Sequence, residues 1–201
     1  MTAAGMNLSK AFIFILVFIF ACGFLCAPAG ANDIFIADSQ GNTLKHVNSG
    51  LVFPYTAGGF TAGNDVRAYD PSGNDVSVPY NLIRGNDYVA ATVYVYAMPA
   101  APGRNGGEIL NEHFEGLKAE ILNAYKGALV SEDKTSLKGM TGRMAVFKVE
   151  LMGEISESEL YLSSHKGWFI KYRISYPARS ASFARPEVSK FVNSLNLIQG
   201  N

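Results

Sequence analysis

Asp75-Val76-Ser77-Val78-Pro79-Tyr80-Asn81-Leu82-Ile83-Arg84-Gly85-Asn86-Asp87-Tyr88-Val89-Ala90-Ala91-Thr92-Val93-Tyr94-Val95-Tyr96-Ala97-Met98 is the stretch that decides the fold. Val76, Val78, Tyr80 and Leu82 alternate with other residues, as do Val89, Ala91, Val93 and Val95. A period of two is the signature of strands that bury one face. Gly85-Asn86 is a dipeptide suited to the two-residue turns that join hairpin strands. Folding the stretch there sets Leu82 opposite Val89, Tyr80 opposite Ala91, Val78 opposite Val93 and Val76 opposite Val95. All eight apolar residues then share one face, and a slip of one residue would expose the whole set. Ser77, Thr92, Tyr94 and Tyr96 fall on the other face.

Working outward, Val66–Asp70 reads as another strand, turning through Pro71-Ser72-Gly73-Asn74. Asp70, Ser72 and Asn74 have the first spacings of a calcium loop. Gly73 stands two positions early for that loop, and Asn81 occupies the place of its bidentate glutamate, so the segment reads as turn chemistry instead. After the Pro/Gly-rich Met98–Gly107, the period changes. Leu110, Phe114, Leu117, Ile121 and Ala124/Tyr125 recur at three- and four-residue steps among Glu108, Glu112, Glu115, Lys118 and Glu120. That pattern predicts an amphipathic helix over residues 106–126.

Three strands are expected from Gly142 onward. A turn at Gly153-Glu154 would pair Phe147 with Leu160 and Ala145 with Leu162. A three-residue turn at His165-Lys166-Gly167 would pair Leu160 with Tyr172 and Leu162 with Ile170. Lys148, Glu159 and Arg173 would then line up on the opposite face, while Glu150 would face Glu157, the one adverse pair in this register. A second amphipathic helix follows, with Pro186-Glu187 in its first turn and Val188, Phe191, Val192 and Leu195 as its stripe. The expected fold class is α+β: a mainly antiparallel β-sheet flanked by two main amphipathic helices.

The amino terminus reads as an export signal. Lys10 precedes the apolar run Ala11–Leu25, and Ala27-Pro28-Ala29-Gly30-Ala31 places small residues where a signal peptidase cuts. The run is shorter than the roughly 20 residues of a membrane-spanning helix. Lipidation would use Cys22 or Cys26, but Phe20 and Leu25 make poor lipobox neighbours. Cleavage after Ala31 is therefore the first reading, with a retained anchor or a lipid as alternatives, and with Met1 or Met6 as the start. Residues 32–50 read as a flexible lead-in with a short strand at Ile34–Ala37, and 51–198 as a single domain. Cleavage removes both cysteines, so no disulfide would hold the exported domain. The full chain carries 17 basic and 17 acidic residues. That balance argues against nucleic acid and anionic membrane surfaces as partners, since both call for a basic excess.

No catalytic constellation emerges. His46, His113 and His165 share no short metal-ligand spacing. No Gly-x-Ser-x-Gly elbow and no phosphate-binding glycine loop is present. The expectation is of no enzyme, no cofactor and no metal. The candidate binding surface is the sheet face bearing Tyr94, Tyr96, Lys148, Glu159, Tyr161 and Arg173, a composition rich in the residues that dominate protein interfaces.

Several stretches together carry a family likeness. These are Leu51-Val52-Phe53-Pro54-Tyr55, Asp75–Tyr80, Ala91–Tyr96, Gly167-Trp168-Phe169-Ile170-Lys171-Tyr172-Arg173 and Phe191-Val192-Asn193-Ser194-Leu195. Over residues 50–198 the chain resembles the PsbP/DcrB-like group of exported and extrinsic proteins. The resemblance implies an α/β/α sandwich and a non-enzymatic role, docking on membrane complexes or acting as a binding or adaptor protein. It transfers no site residue, and the poor lipobox departs from the group's lipoproteins. The expected function is a periplasmic or secreted binding module contacting a protein or envelope component. The alternatives are a hydrolase assembled from distant residues and a small-ligand or lipid carrier using the tyrosine-lined face.

Overall fold

In a computed structural model of the chain, residues 34–125 and 127–198 are described. The stretch read as an export signal, with its expected cleavage site after Ala31, lies outside them. The strands are β1 (Phe35–Ala37), β2 (Thr43–His46), β3 (Val52–Pro54), β4 (Thr56–Ala57), β5 (Phe60–Ala62), β6 (Arg67–Ala68), β7 (Asp75–Arg84), β8 (Asp87–Ala97), β9 (Ala128–Leu137), β10 (Met140–Leu151), β11 (Glu154–His165) and β12 (Trp168–Pro177). The helices are α1 (Gly106–Tyr125) and α2 (Ala181–Ser194), the latter entered through a short 3-10 turn, Ala178–Ser180. Strands β1–β3 form a small sheet. The remaining nine form the main one, in the order β4-β5-β7-β8-β12-β11-β10-β9 with β6 beside β7. Every pairing is antiparallel. Among the described residues, no helix is long and apolar enough to cross a membrane.

The β7–β8 hairpin has the register read from its alternation: Leu82 opposes Val89, Tyr80 opposes Ala91, Val78 opposes Val93 and Val76 opposes Val95. Gly85, at φ 61°, takes the first turn position. The buried face of this hairpin packs with Ile170, Tyr172, Ile174 and α2 residues Ala184, Val188, Phe191 and Val192. On the opposite sheet face, α1 buries Leu110, Phe114, Leu117 and Ile121 against Ala145, Phe147, Val149, Leu160, Leu162 and Phe169. The sheet is thus sandwiched between the two helices, each with its own apolar core.

Several elements differ from the expectation. The stretch read as a loose lead-in does carry the short strand expected at Ile34–Ala37, as β1, but it also supplies β2, with Phe35 and His46 both buried. Helix α2 begins five residues before Pro186, which sits inside it. The proline removes the amide that would bond to the carbonyl of exposed Ser182, a place where water can substitute. Strand β9 was not expected at all. Among the described residues it is an edge strand paired with β10, and Glu132, Asp133 and Lys134 interrupt any apolar alternation. Such charge is how exposed sheet edges resist pairing with other chains.

The largest difference is in the β10–β12 meander. Its turns are Met152-Gly153 and Lys166-Gly167, and both residues of each have positive φ: 54° and 79°, then 47° and 82°. These are two-residue turns of the primed kind, whose twist matches that of the strands. The glycine fills the second position rather than the first or third. In β10–β11 the pairs become Ala145 with Leu160 and Lys148 with Glu157, and the adverse Glu150–Glu157 pair gives way to Glu150 with Ile155. In β11–β12 Leu160 opposes Arg173, Leu162 opposes Lys171 and Tyr161 opposes Tyr172. That last register differs by one residue from the expected one, so β12 presents the opposite set of side chains to each face.

Candidate binding cleft

The one-residue difference in β12 divides the six candidate surface residues. Tyr94, Tyr96 and Arg173 lie on the α1 face, because Arg173 opposes Thr92 and Lys171 opposes Tyr94 across β12 and β8. Lys148, Glu159 and Tyr161 lie on the α2 face, where Glu159 is flanked by Val146 and Ile174. The six do not form one surface. Lys171, which sequence reasoning left out, joins Tyr94, Tyr96 and Arg173. Its only signal was the turn type, which decides whether odd- or even-numbered residues of β12 face α1.

The face with Tyr94, Tyr96 and Arg173 is not open. Helix α1 stands over it and leaves a cleft of about 350 Å3. Tyr94, Tyr96, Lys171, Arg173 and Leu160 form the floor, and Tyr69 and Asp75 line it beside them. The roof is one side of α1: His113, Leu117, Glu120, Ile121, Ala124 and Tyr125. The i, i+3 and i+4 spacing of Leu117, Glu120, Ile121 and Ala124 is what puts them on one side of the helix.

Aromatic contacts hold the floor in place. Tyr69 stacks on Tyr94 with centroids 6.2 Å apart, and its hydroxyl lies 3.1 Å from Ser77 Oγ. The Tyr96 hydroxyl is 2.6 Å from His113 Nε2, tying the floor to the roof. The Lys171 ammonium sits 4.1 Å from the Tyr94 ring centroid and 5.5 Å from that of Tyr96, a cation–π arrangement. The Arg173 guanidinium lies 5.8 Å from the Phe147 ring. Its two terminal nitrogens are enclosed and have no hydrogen-bond partner among the described residues.

Burial dominates the titration of the cleft. It draws Arg173 down to about 10, with Tyr125, Tyr94 and Glu120 opposing the shift. It lowers Lys171 against the pull of Glu120 and Asp75. It raises the Asp75 carboxyl and pushes the Tyr94 phenol up to about 12. His113 is lowered by burial and by the charge of Lys171. Each shift has the sign expected of a charge withdrawn from water.

Of the other three candidates, Glu159 and Tyr161 line a second groove of about 490 Å3 together with Glu157, Tyr176 and Arg185 beside α2, and Lys148 is not part of its lining. Tyr161 donates to Glu159 Oε2 at 2.6 Å, and the Tyr176 hydroxyl lies 2.7 Å from Glu159 Oε1 and 2.9 Å from Glu157 Oε2. Arg185 grips Glu157 through two nitrogens at 2.9 and 2.6 Å. The polar groups of this network satisfy one another. Glu159 and Tyr161 are buried, whereas Lys148 is exposed. Among the described residues, no cluster of three or more His, Cys, Asp or Glu side chains could hold a metal ion.

No known family model matches the chain, and no curated protein matches it in sequence. Solved structures do match its fold. Cyanobacterial PsbP (CyanoP) from Synechocystis aligns with a TM-score of 0.52 at 10% identity, covering 87% of this chain and 99% of its own. A Pseudomonas aeruginosa protein of unknown function, described as a putative regulator, aligns with a TM-score of 0.50 at 7% identity, covering 62% of this chain and 84% of its own. The Ran-binding protein Mog1p of Saccharomyces cerevisiae is a looser match, with a TM-score of 0.45 at 13% identity over 82% of this chain and 95% of its own. At these identities the likeness is one of architecture: an antiparallel α+β sandwich of the kind seen in PsbP.

Proposed function

We propose that the protein is an exported, non-enzymatic binding module that receives a group of its ligand in the cleft between α1 and the main sheet. The observation that supports this most is the roofing of Tyr94, Tyr96 and Arg173 by α1. It turns the expected interaction face into a recess of about 350 Å3. A recess with apolar walls and a few converging polar groups is the usual form of a small-ligand site. It receives a small molecule, or one projecting group of an envelope component, better than it receives a flat protein surface. The export reading rests on the Ala11–Leu25 run and the Ala29-Gly30-Ala31 ending.

Two measurements test this. Native mass spectrometry and thermal melts of protein purified from envelope extract should reveal a ligand that raises the melting temperature. Ala124→Trp, which fills the cleft from an exposed roof position, should fold normally and lose that rise. A rise that survives the blocked cleft would place the ligand elsewhere. For export, the mature chain should begin at Asn32 and fractionate outside the cytoplasm. An intact amino terminus in the cytoplasmic fraction would overturn that part.

A further inference from the structure

Arg173 poses a physical problem that the fold alone does not solve. Both terminal nitrogens of its guanidinium are shut off from solvent and lack a hydrogen-bond partner among the described residues. A buried charge without a partner is costly, and proteins normally pair it. Its neighbours in the cleft give these nitrogens no hydrogen bond. Tyr94 and Tyr125 are neutral phenols at ordinary pH, and Lys171 adds a second positive charge one step along the same strand face. The acids that face the cleft are Asp75, the first residue of β7, and Glu120, exposed on α1. Neither gives Arg173 a hydrogen bond. The two basic side chains of the floor are thus matched in number by two acids of the lining, but the forked donor set of Arg173 is left unused.

We infer that the group received by the cleft is an oxyanion, a carboxylate or phosphate, carried on a small apolar body. This rests on the cleft being the binding site. The fork of an arginine matches two oxygens of such a group, and the unpaired nitrogens of Arg173 supply the donors. The Lys171 ammonium adds a point charge beside it, held in place over the Tyr94 and Tyr96 rings. Leu117, Ile121 and Leu160 give the attached body an apolar wall. Because the Arg173 nitrogens are enclosed, entry requires the lining to yield, and Tyr125, at the end of α1, is part of that lining.

The experiment titrates the full folded domain with benzoate, phenyl phosphate and benzyl alcohol, which offer the same ring with a carboxylate, a phosphate or a neutral hydroxyl. Melting temperature and the NMR signals of the Arg173 Nε–H and the cleft tyrosines are followed. Benzoate or phenyl phosphate should bind at least tenfold more tightly than benzyl alcohol and shift the Arg173 signal. Arg173→Met should remove that preference, and Lys171→Met should weaken it. Preference between benzoate and phenyl phosphate tells carboxylate from phosphate. If benzyl alcohol binds as tightly as benzoate and perturbs Tyr94 and Tyr96 in wild type and Arg173→Met alike, the cleft is a site but the oxyanion is wrong. If no probe perturbs the cleft tyrosines, the cleft reading and this inference fall together. Should Arg173→Met not fold, the wild-type Arg173 signal and the Lys171→Met titration decide alone.

Discussion

At the scale of single residues, buried polar side chains set how stability depends on pH. His46 is fully buried, with Nε2 2.7 Å from the Gly73 carbonyl and Nδ1 2.8 Å from Ser49 Oγ. A carbonyl only accepts, so Nε2 carries the proton and donates, leaving Nδ1 to accept from the serine. Burial lowers the affinity of this ring for a second proton, outweighing the opposing effects of the Gly73 carbonyl and Asp70. The unfolded chain therefore binds more protons near and below the ordinary imidazole value of about 6.5, and the stabilisation present above that value fades as the pH falls. Melting temperature should drop from pH 7.5 to pH 5.5, and His46→Asn should be less stable at neutral pH but less sensitive to acid. His113, also lowered by burial, contributes in the same direction. A parallel His113→Asn series apportions the two. An acid sensitivity unchanged in both variants would refute the assignment. Tyr80 gives a simpler case. Its ring is buried and its hydroxyl donates to the Pro54 carbonyl at 2.8 Å, so Tyr80→Phe should cost about 1 kcal/mol in a denaturant titration. The Tyr80 ring was legible in the alternation of its hairpin. The burial of His46 was not, because it depends on Gly73, 27 residues away, and no local pattern announces such a partner.

Among the elements, turns decide which residues become a site. The β7–β8 hairpin was readable because eight apolar residues agree on one register and would all be exposed by a slip. Between β11 and β12 the apolar pattern is less decisive, since both sheet faces are covered and both tolerate large side chains. Leu160 packs under α1, whereas Tyr161 and Tyr172 pack toward α2. The register then passes to the Lys166-Gly167 turn, where a lysine at φ 47° does what asparagine or glycine usually does. A turn one residue longer would have sent Lys171 and Arg173 to the α2 face and left no cleft. Two substitutions probe this element. Lys166→Asn should raise stability slightly, because asparagine accepts left-handed geometry more readily. Gly167→Ala should lower it by about 1–2 kcal/mol through backbone strain alone, since a Cβ there meets nothing within 4 Å. Chemical denaturation of both variants checks the pair. Equal stability for wild type and Gly167→Ala would mean that the turn is not of the primed type.

For the molecule as a whole, the question is whether two cores behave as one. Phe114 anchors the α1 side and Phe191 the α2 side, both fully buried. Phe191 packs against Phe60, Tyr80 and Tyr172, with ring centroids 4.5, 5.2 and 6.3 Å away. Phe114 packs with Phe147, Leu160 and Phe169 in the other core and carries Arg143 4.9 Å above its ring. The two cores share no side chains, but they share strands. Phe169 faces α1 while Ile170 faces α2, and Leu160 and Tyr161 divide in the same way on β11. Releasing one face therefore frees backbone that the other face needs. Removing either ring should cost about 3–5 kcal/mol, a large part of the roughly 5–15 kcal/mol of a typical domain. It should do so without splitting the transition. Phe114→Ala and Phe191→Ala are each expected to melt once, with Trp168 fluorescence and far-ultraviolet circular dichroism giving the same midpoint. Trp168 packs against the α2-side core, and its ring lies 5.4 Å from that of His46. It consequently reports the half of the molecule away from Phe114. A Phe114→Ala melt in which helical signal disappears before Trp168 responds would show that α1 is a separable lid on an independently stable sheet. Coincident melting would show instead that the cleft floor and its helical roof are held by one cooperative structure.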